Sequence, residues 1–179
     1  MIQRIIGIIT FNIDVYEEIE ADENATSQAA IVVAIVAIVG GLVGGGVSAA
    51  LGGSFIGSFI QTLVLAFISW FLWSYVTYFV SNSLFGGQSD IGQMLRVIGF
   101  AQAPGILAII PVCGGIVGSI WSAVCVFFAV RQGLDLDNGK AIGTAVIGFI
   151  VVFLVGAGIG LVLAALGLTA GVTLDAIGG

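Results

Sequence analysis

The chain has 179 residues, 59% of them hydrophobic and 8% charged, with a formal net charge of −6. A soluble domain carries about 25% charged residues, so water cannot solvate most of this surface. Four Lys and Arg in the whole chain leave no electrostatic footprint for nucleic acid. The charges are also clumped, seven in residues 1–23, two in 90–96, four in 131–140 and one at 175. The uncharged stretches between the clumps run 66, 34 and 34 residues, each well beyond the roughly 18 that mark a bilayer span. The expected class is an all-α, polytopic membrane helix bundle.

Residues 1–28 read as a cytoplasmic segment and 29–179 as a single membrane domain. At helical spacing Ile2, Ile5, Ile6, Ile9 and Ile13 share one face, opposite Gln3, Arg4, Thr10 and Asp14. Two readings fit: a short amphipathic helix lying in the membrane interface, or an apolar tail packed on neighbouring helices. A cleavable signal is not expected, because Asp14, Glu17 and Glu18 stand where small residues would be needed. An acidic connector follows, in which Asp14 and Glu17 resemble a helix cap and its box partner, giving a short second helix over 14–21.

The first span is expected over 29–51, with Asp22, Asn24 and Thr26 as possible caps. Gly52-Gly53-Ser54 is the turn that divides the 66-residue run. The second span, 55–80, ends in Trp70, Trp73, Tyr75 and Tyr78, an apparent aromatic belt. The third, 91–110, holds Arg96 one to two turns inside its start, from where it can snorkel to headgroups, and Pro104, which should kink it. The fourth is 114–130. A polar loop with an Asn138-Gly139 turn leads to the fifth, 141–168. Five spans put Arg4, Arg96, Arg131 and Lys140 on one face, which is therefore cytoplasmic. The N-terminus is then inside and the C-terminus outside; if the cell is prokaryotic, the expected membrane is its plasma (inner) membrane.

Reactive chemistry is not expected. The chain has no histidine and two cysteines, Cys113 and Cys125, read as small buried hydrophobes. No serine has a base near it in sequence, no phosphate-binding loop occurs, and no cofactor or metal is expected. Small-xxx-small pairs at Gly40/Gly44, Gly41/Gly45, Gly114/Gly118 and Gly156/Gly160 predict close helix packing. Intramembrane polarity concentrates at Asp90, Gln93, Arg96, Gln102 and Pro104, either lining a cavity or anchoring and bonding helices. Glu17, Glu18 and Glu20, with Arg131, Asp135 and Asp137 across the loop, form a candidate partner surface.

VYEEIEADENATSQAA (15–30), FGGQSDIGQMLRVIGFAQAP (85–104) and CGGIVGSIWSAVCVFFAVRQGLDLDNGKAI (113–142) together resemble the prokaryotic branch of the Yip family, named for interaction with Ypt/Rab GTPases. The resemblance implies five membrane helices, a cytoplasmic N-terminus and, in eukaryotes, roles in vesicle traffic and membrane organisation. For prokaryotic relatives it implies no established activity. The leading expectation is a non-enzymatic scaffold or adaptor. It would act through helix packing, self-association and protein partners among membrane lipids. The alternative is a small transporter, channel or lipid-handling protein with a polar cavity around Arg96.

Overall fold

A computed structural model describes residues 1–86, 89–110, 113–132 and 137–165, with only the helical backbone at 160 and 163–165. The described residues are helical throughout: α1 (Ile2–Ile9), α2 (Ile13–Ala21), α3 (Ala25–Ala50), α4 (Phe55–Val80), α5 (Ile91–Ala101), α6 (Gly114–Gln132) and α7 (Asn138–Ala165). A π-turn, Ser81–Phe85, continues α4, and a 3-10 segment, Ala103–Ile109, continues α5. Among the described residues, four helices are long and apolar enough to cross a membrane: Ala25–Ala50, Phe55–Phe85, Gly114–Gln132 and Asn138–Ile159.

The predicted third span is therefore not one helix. Pro104 ends α5 rather than kinking it, because proline supplies no N–H for the α ladder, and it sits in the first turn of the 3-10 segment. Eleven α residues and seven 3-10 residues together rise about 30 Å.

Contacts set the direction of each segment. Along α3 and α4 they pair Gly45 with Phe55 and Gly41 with Phe59, so these helices run antiparallel. Gly99 meets Ala29 and Trp70, and Gly105 meets Val36, so α5 and its 3-10 extension run with α3. Gly118 faces Pro104 and Gly114 faces Leu107, which turns α6 back. Gly143 meets Phe85 and Gly148 meets Trp73, which sets α7 against α4. Five segments alternate in direction.

Lipid is as apolar as leucine, so helices in a bilayer associate through close packing rather than water exclusion. On α3 the buried Ala25, Ala29, Val33, Ala37, Gly41 and Gly45 recur every fourth residue, and this mostly small ridge seats α4 and α5. The working pair is Gly41/Gly45. Gly40 and Gly44 meet only Thr62, in ordinary van der Waals contact at 3.7 and 3.9 Å from an added Cβ. Gly114 and Gly118 each abut a backbone carbonyl of the 3-10 segment. Gly156 has open space beside it, and the surroundings of Gly160 lie outside the described residues. Gly156→Leu should consequently leave the fold of the single chain intact, its thermal midpoint at a dilution where the protein is monomeric in detergent staying within about a degree of wild type.

Turns follow local chemistry. Gly52 takes φ +84 after α3, and the Ser54 hydroxyl accepts from Gly57 N at 3.1 Å to cap α4. The Asn138-Gly139 turn is instead the first turn of α7, where an Asp137 carboxylate oxygen accepts from Lys140 N at 3.0 Å. The aromatic belt is partly interior. Trp70 is buried and donates to the Leu95 carbonyl at 3.0 Å, while Trp73 packs edge-on to Phe149. Of the cysteines, Cys125 is buried and Cys113 exposed.

Candidate functional site: a helical hairpin locked by Arg96

The N-terminal segment packs on neighbouring helices, the second of the two readings, and the expected short second helix is present as α2. α1 and α2 form a hairpin docked on α5 and α6, with Ile8, Tyr16 and Ile19 fully buried. Ile5 and Ile9 pack inward, whereas Ile2 and Ile6 remain 70% and 55% exposed. The isoleucine stripe is thus split between the bundle and the outer surface.

The hairpin turn obeys helix-end rules with an unexpected residue. Asn12 N donates to Gly7 O at 2.9 Å and Phe11 N to Ile8 O at 3.1 Å, a Schellman closure of α1. The left-handed position that closure requires is held by Phe11 at φ 58, where glycine is usual. The strain, about 1–3 kcal/mol, is offset by ring packing on α6, 5.2 Å from Phe128 and 6.4 Å from Trp121. Asn12, not Asp14, then caps α2, its side-chain oxygen accepting from Asp14 N at 3.2 Å.

Further bonds tie the hairpin to α6. Trp121 Nε1 donates to Ile9 O at 3.1 Å and the Cys125 thiol to Ile8 O at 3.6 Å, while within the hairpin the Tyr16 hydroxyl donates to Ile8 O at 3.1 Å. Burial pushes the Tyr16 hydroxyl well above its ordinary pKa. Across the hairpin Arg4 grips Glu18 and Asp22, each at 2.8 Å. The hydrogen bond from Arg4, opposed by modest desolvation, holds the Asp22 carboxyl below its usual range. A depressed folded pKa contributes stability above the unfolded value, about 3.9, that is lost as pH falls through the folded one. Protection of the α1 and α2 amides, corrected for the intrinsic pH dependence of exchange, should stay flat from pH 7 to about 5, then fall in acid before that of α4 does.

The polar cluster is the lock itself. Arg96 is 7% exposed and does not snorkel: Nε and Nη2 donate to the Glu20 carbonyl at 3.0 and 2.6 Å. That carbonyl belongs to the last turn of α2, whose end carbonyls lack intrahelical partners and attract a cation. Gln93 Nε2 donates to Glu20 Oε1 at 2.9 Å. Gln93 also completes a capping box, its Oε1 accepting from Asp90 N at 2.6 Å while Asp90 Oδ1 accepts from Gln93 N at 2.8 Å. Arg96 of α5 thereby satisfies an orphaned carbonyl at the C-terminus of α2, while α5 caps its own N-terminus through Asp90 and Gln93. Gly92 leaves room, since a Cβ there would lie 3.1 Å from Arg96 Nη1.

Asp90, Gln93 and Arg96 are thus brought together, with Glu20 as a partner that sequence spacing could not supply. Gln102 and Pro104 stand apart. Gln102 lines a cavity of about 440 Å3 between α3, α4, α5, α6 and α7, whose other polar lining is Ser69, Trp73, Ser119 and Ser122. The acidic surface is divided: Glu17 is exposed, Glu18 is engaged by Arg4, and Glu20 belongs to the lock. Arg131 is half-buried at the end of α6, Asp137 caps α7, and Asp135 lies outside the described residues.

No curated protein and no solved structure gives a significant match to this chain. The family model of the Yip1 domain matches residues 6–172, from inside α1 to beyond the described end of α7. Nearly the whole helical assembly, including the α2–α5 lock, therefore falls within that match, and the chain belongs to the Yip1-domain family of multi-pass membrane proteins.

Proposed function

We propose that this Yip1-domain protein is a non-enzymatic membrane scaffold with five crossings, which presents its docked α1–α2 hairpin to protein partners on the cytoplasmic side. The observation that carries the reading is the lock. The nearly buried arginine is committed to a backbone carbonyl of α2, which supports reading the hairpin as a fixed platform. Asp14 and Glu17 of the hairpin and Glu23 just after it are exposed, acidic groups suited to a basic segment and repelled by anionic lipid.

The fifth crossing is α5 with its 3-10 extension, supported by their combined length and their parallel course beside α3. Arg4, Arg96, Arg131 and Lys140 then share the face that holds the N-terminus, in line with positive charge staying inside, and a prokaryotic cell would carry the protein in its plasma membrane. Single cysteines at Asn24 and Ile109, in a background lacking Cys113 and Cys125, should react with impermeant maleimide from opposite sides. Labelling from one side would make the 3-10 segment re-entrant and remove the fifth crossing.

The partner reading is tested with a photo-crosslinking amino acid at Glu17 in living cells. Protein adducts are expected there, and they should fall several-fold with Asp14→Lys/Glu23→Lys. An absence of adducts, with the hairpin still docked, would refute the platform. Self-association is assigned to the open stretch of α7 around Gly156. Gly156→Leu should shift the protein towards monomer in native mass spectra.

A further inference from the structure

Some hydroxyls on these helices bond back along their own helix, while those of Thr77, Ser81, Ser122 and Thr144 are buried without a protein partner. Thr62 donates to Ser58 O, Ser74 to Trp70 O and Ser119 to Ile116 O, each at 2.9 Å, the usual solution for a hydroxyl in an apolar helix. Trp73 Nε1 and Ser122 Oγ do not: both atoms are buried without a protein partner, and both residues line the 440 Å3 cavity. Each such group costs about 1–3 kcal/mol if it stays unpaired, and hydrocarbon can offer it nothing. Gly148 keeps the approach open, since an added Cβ would stand 3.3 Å from Trp73 Nε1.

The lining selects its occupant. It contains no ionisable side chain, so a charged headgroup or ion would enter without compensation. Beside its polar side chains the wall includes Val126, Phe149 and Val152, which offer water no partner and suit an acyl chain. Trp73 offers a donor only, and Ser122 can donate, so the complementary group is a neutral acceptor. The position also matters. Val36, near the middle of α3, forms part of the wall, which puts the cavity within the hydrocarbon zone.

We infer that this cavity binds the acyl-ester portion of an uncharged membrane lipid of the diacylglycerol class. An ester carbonyl accepts from Trp73 Nε1 or Ser122 Oγ, and the acyl chain lies against Val126, Phe149 and Val152. A volume of about 440 Å3 is ample for part of a lipid and small for a whole one, so the remainder extends into the bilayer. The site is separate from the α2–α5 lock and does not depend on the scaffold reading.

The test uses the full chain in phosphatidylcholine vesicles containing diacylglycerol with a diazirine in one acyl chain. Photolabel should concentrate on residues 122–126 and 149–152, and unlabelled diacylglycerol should compete it. Ser122→Val with Trp73→Phe should reduce it about tenfold, the effect of losing 1.4 kcal/mol. Ser122→Phe, which fills the cavity, should do likewise if the double variant misfolds. Labelling no stronger than at lipid-facing Ile116 and Ile120, or insensitive to these variants, overturns the assignment. So does reaction of a cysteine at 122 with a water-soluble maleimide at the rate of an exposed site, which would make the cavity aqueous.

Discussion

Among the described glycines, replacement of Gly118 by Leu should unfold this bundle more readily than any other except replacement of Gly114. An added Cβ at Gly118 lies 2.8 Å from the Pro104 carbonyl oxygen and 3.5 Å from Gly105 Cα, so backbone rather than a movable side chain stands in the way. At Gly114 the collision with the Leu107 carbonyl is closer still. Relief requires α6 to move off the 3-10 segment, and the loss should be about 3 kcal/mol, the upper part of the overpacking range. The control is the neighbouring residue. Gly115 has nothing within 4 Å of an added Cβ, so Gly115→Ala should match wild type in the same denaturant titration in mild detergent. Equal midpoints for Gly118→Leu and Gly115→Ala would show that α6 does not rest on the 3-10 segment.

Arg96→Met should release the hairpin while leaving the bundle folded. It removes two charged hydrogen bonds from the Glu20 carbonyl and leaves that carbonyl buried at the end of α2. The expected cost to docking is roughly 2–3 kcal/mol, which corresponds to a 30- to 150-fold rise in hydrogen exchange for α1 and α2. Exchange in α3 and α4 should change little, because their contact runs along the small-residue ridge and not through Arg96. Arg96→Lys should recover only part of the protection, since one ammonium cannot reproduce a two-nitrogen grip. If exchange in the hairpin is unchanged in Arg96→Met, the hairpin is held by Ile8, Tyr16 and Ile19 alone.

These two sites differ in how far the sequence disclosed them. The pair Gly114/Gly118 was visible from spacing, because a small-residue ridge is a local property of one helix. What each glycine abuts was not visible, and the choice between Gly40/Gly44 and Gly41/Gly45 was open for the same reason. The clustering of Gln93 and Arg96 on one face was likewise readable, but their common partner sits 73 and 76 residues away. Phe11 carried a contrary signal. Nothing in its identity marks a left-handed helix end, and only the rings of Trp121 and Phe128 explain it.

Composition and hydropathy by themselves determined that this is an all-helical, multi-pass membrane protein. They also located its principal turn at Gly52-Gly53-Ser54, because the partition of a segment between water and hydrocarbon depends on its own side chains. The tertiary structure alone decided that the third apolar stretch is an α-helix continued as a 3-10 segment. It also decided that the N-terminal residues fold into a docked hairpin, and that Gln102 borders a cavity while Arg96 closes a lock. Those outcomes depend on which helix end lies within hydrogen-bonding reach of which side chain, and distance along the chain does not encode that.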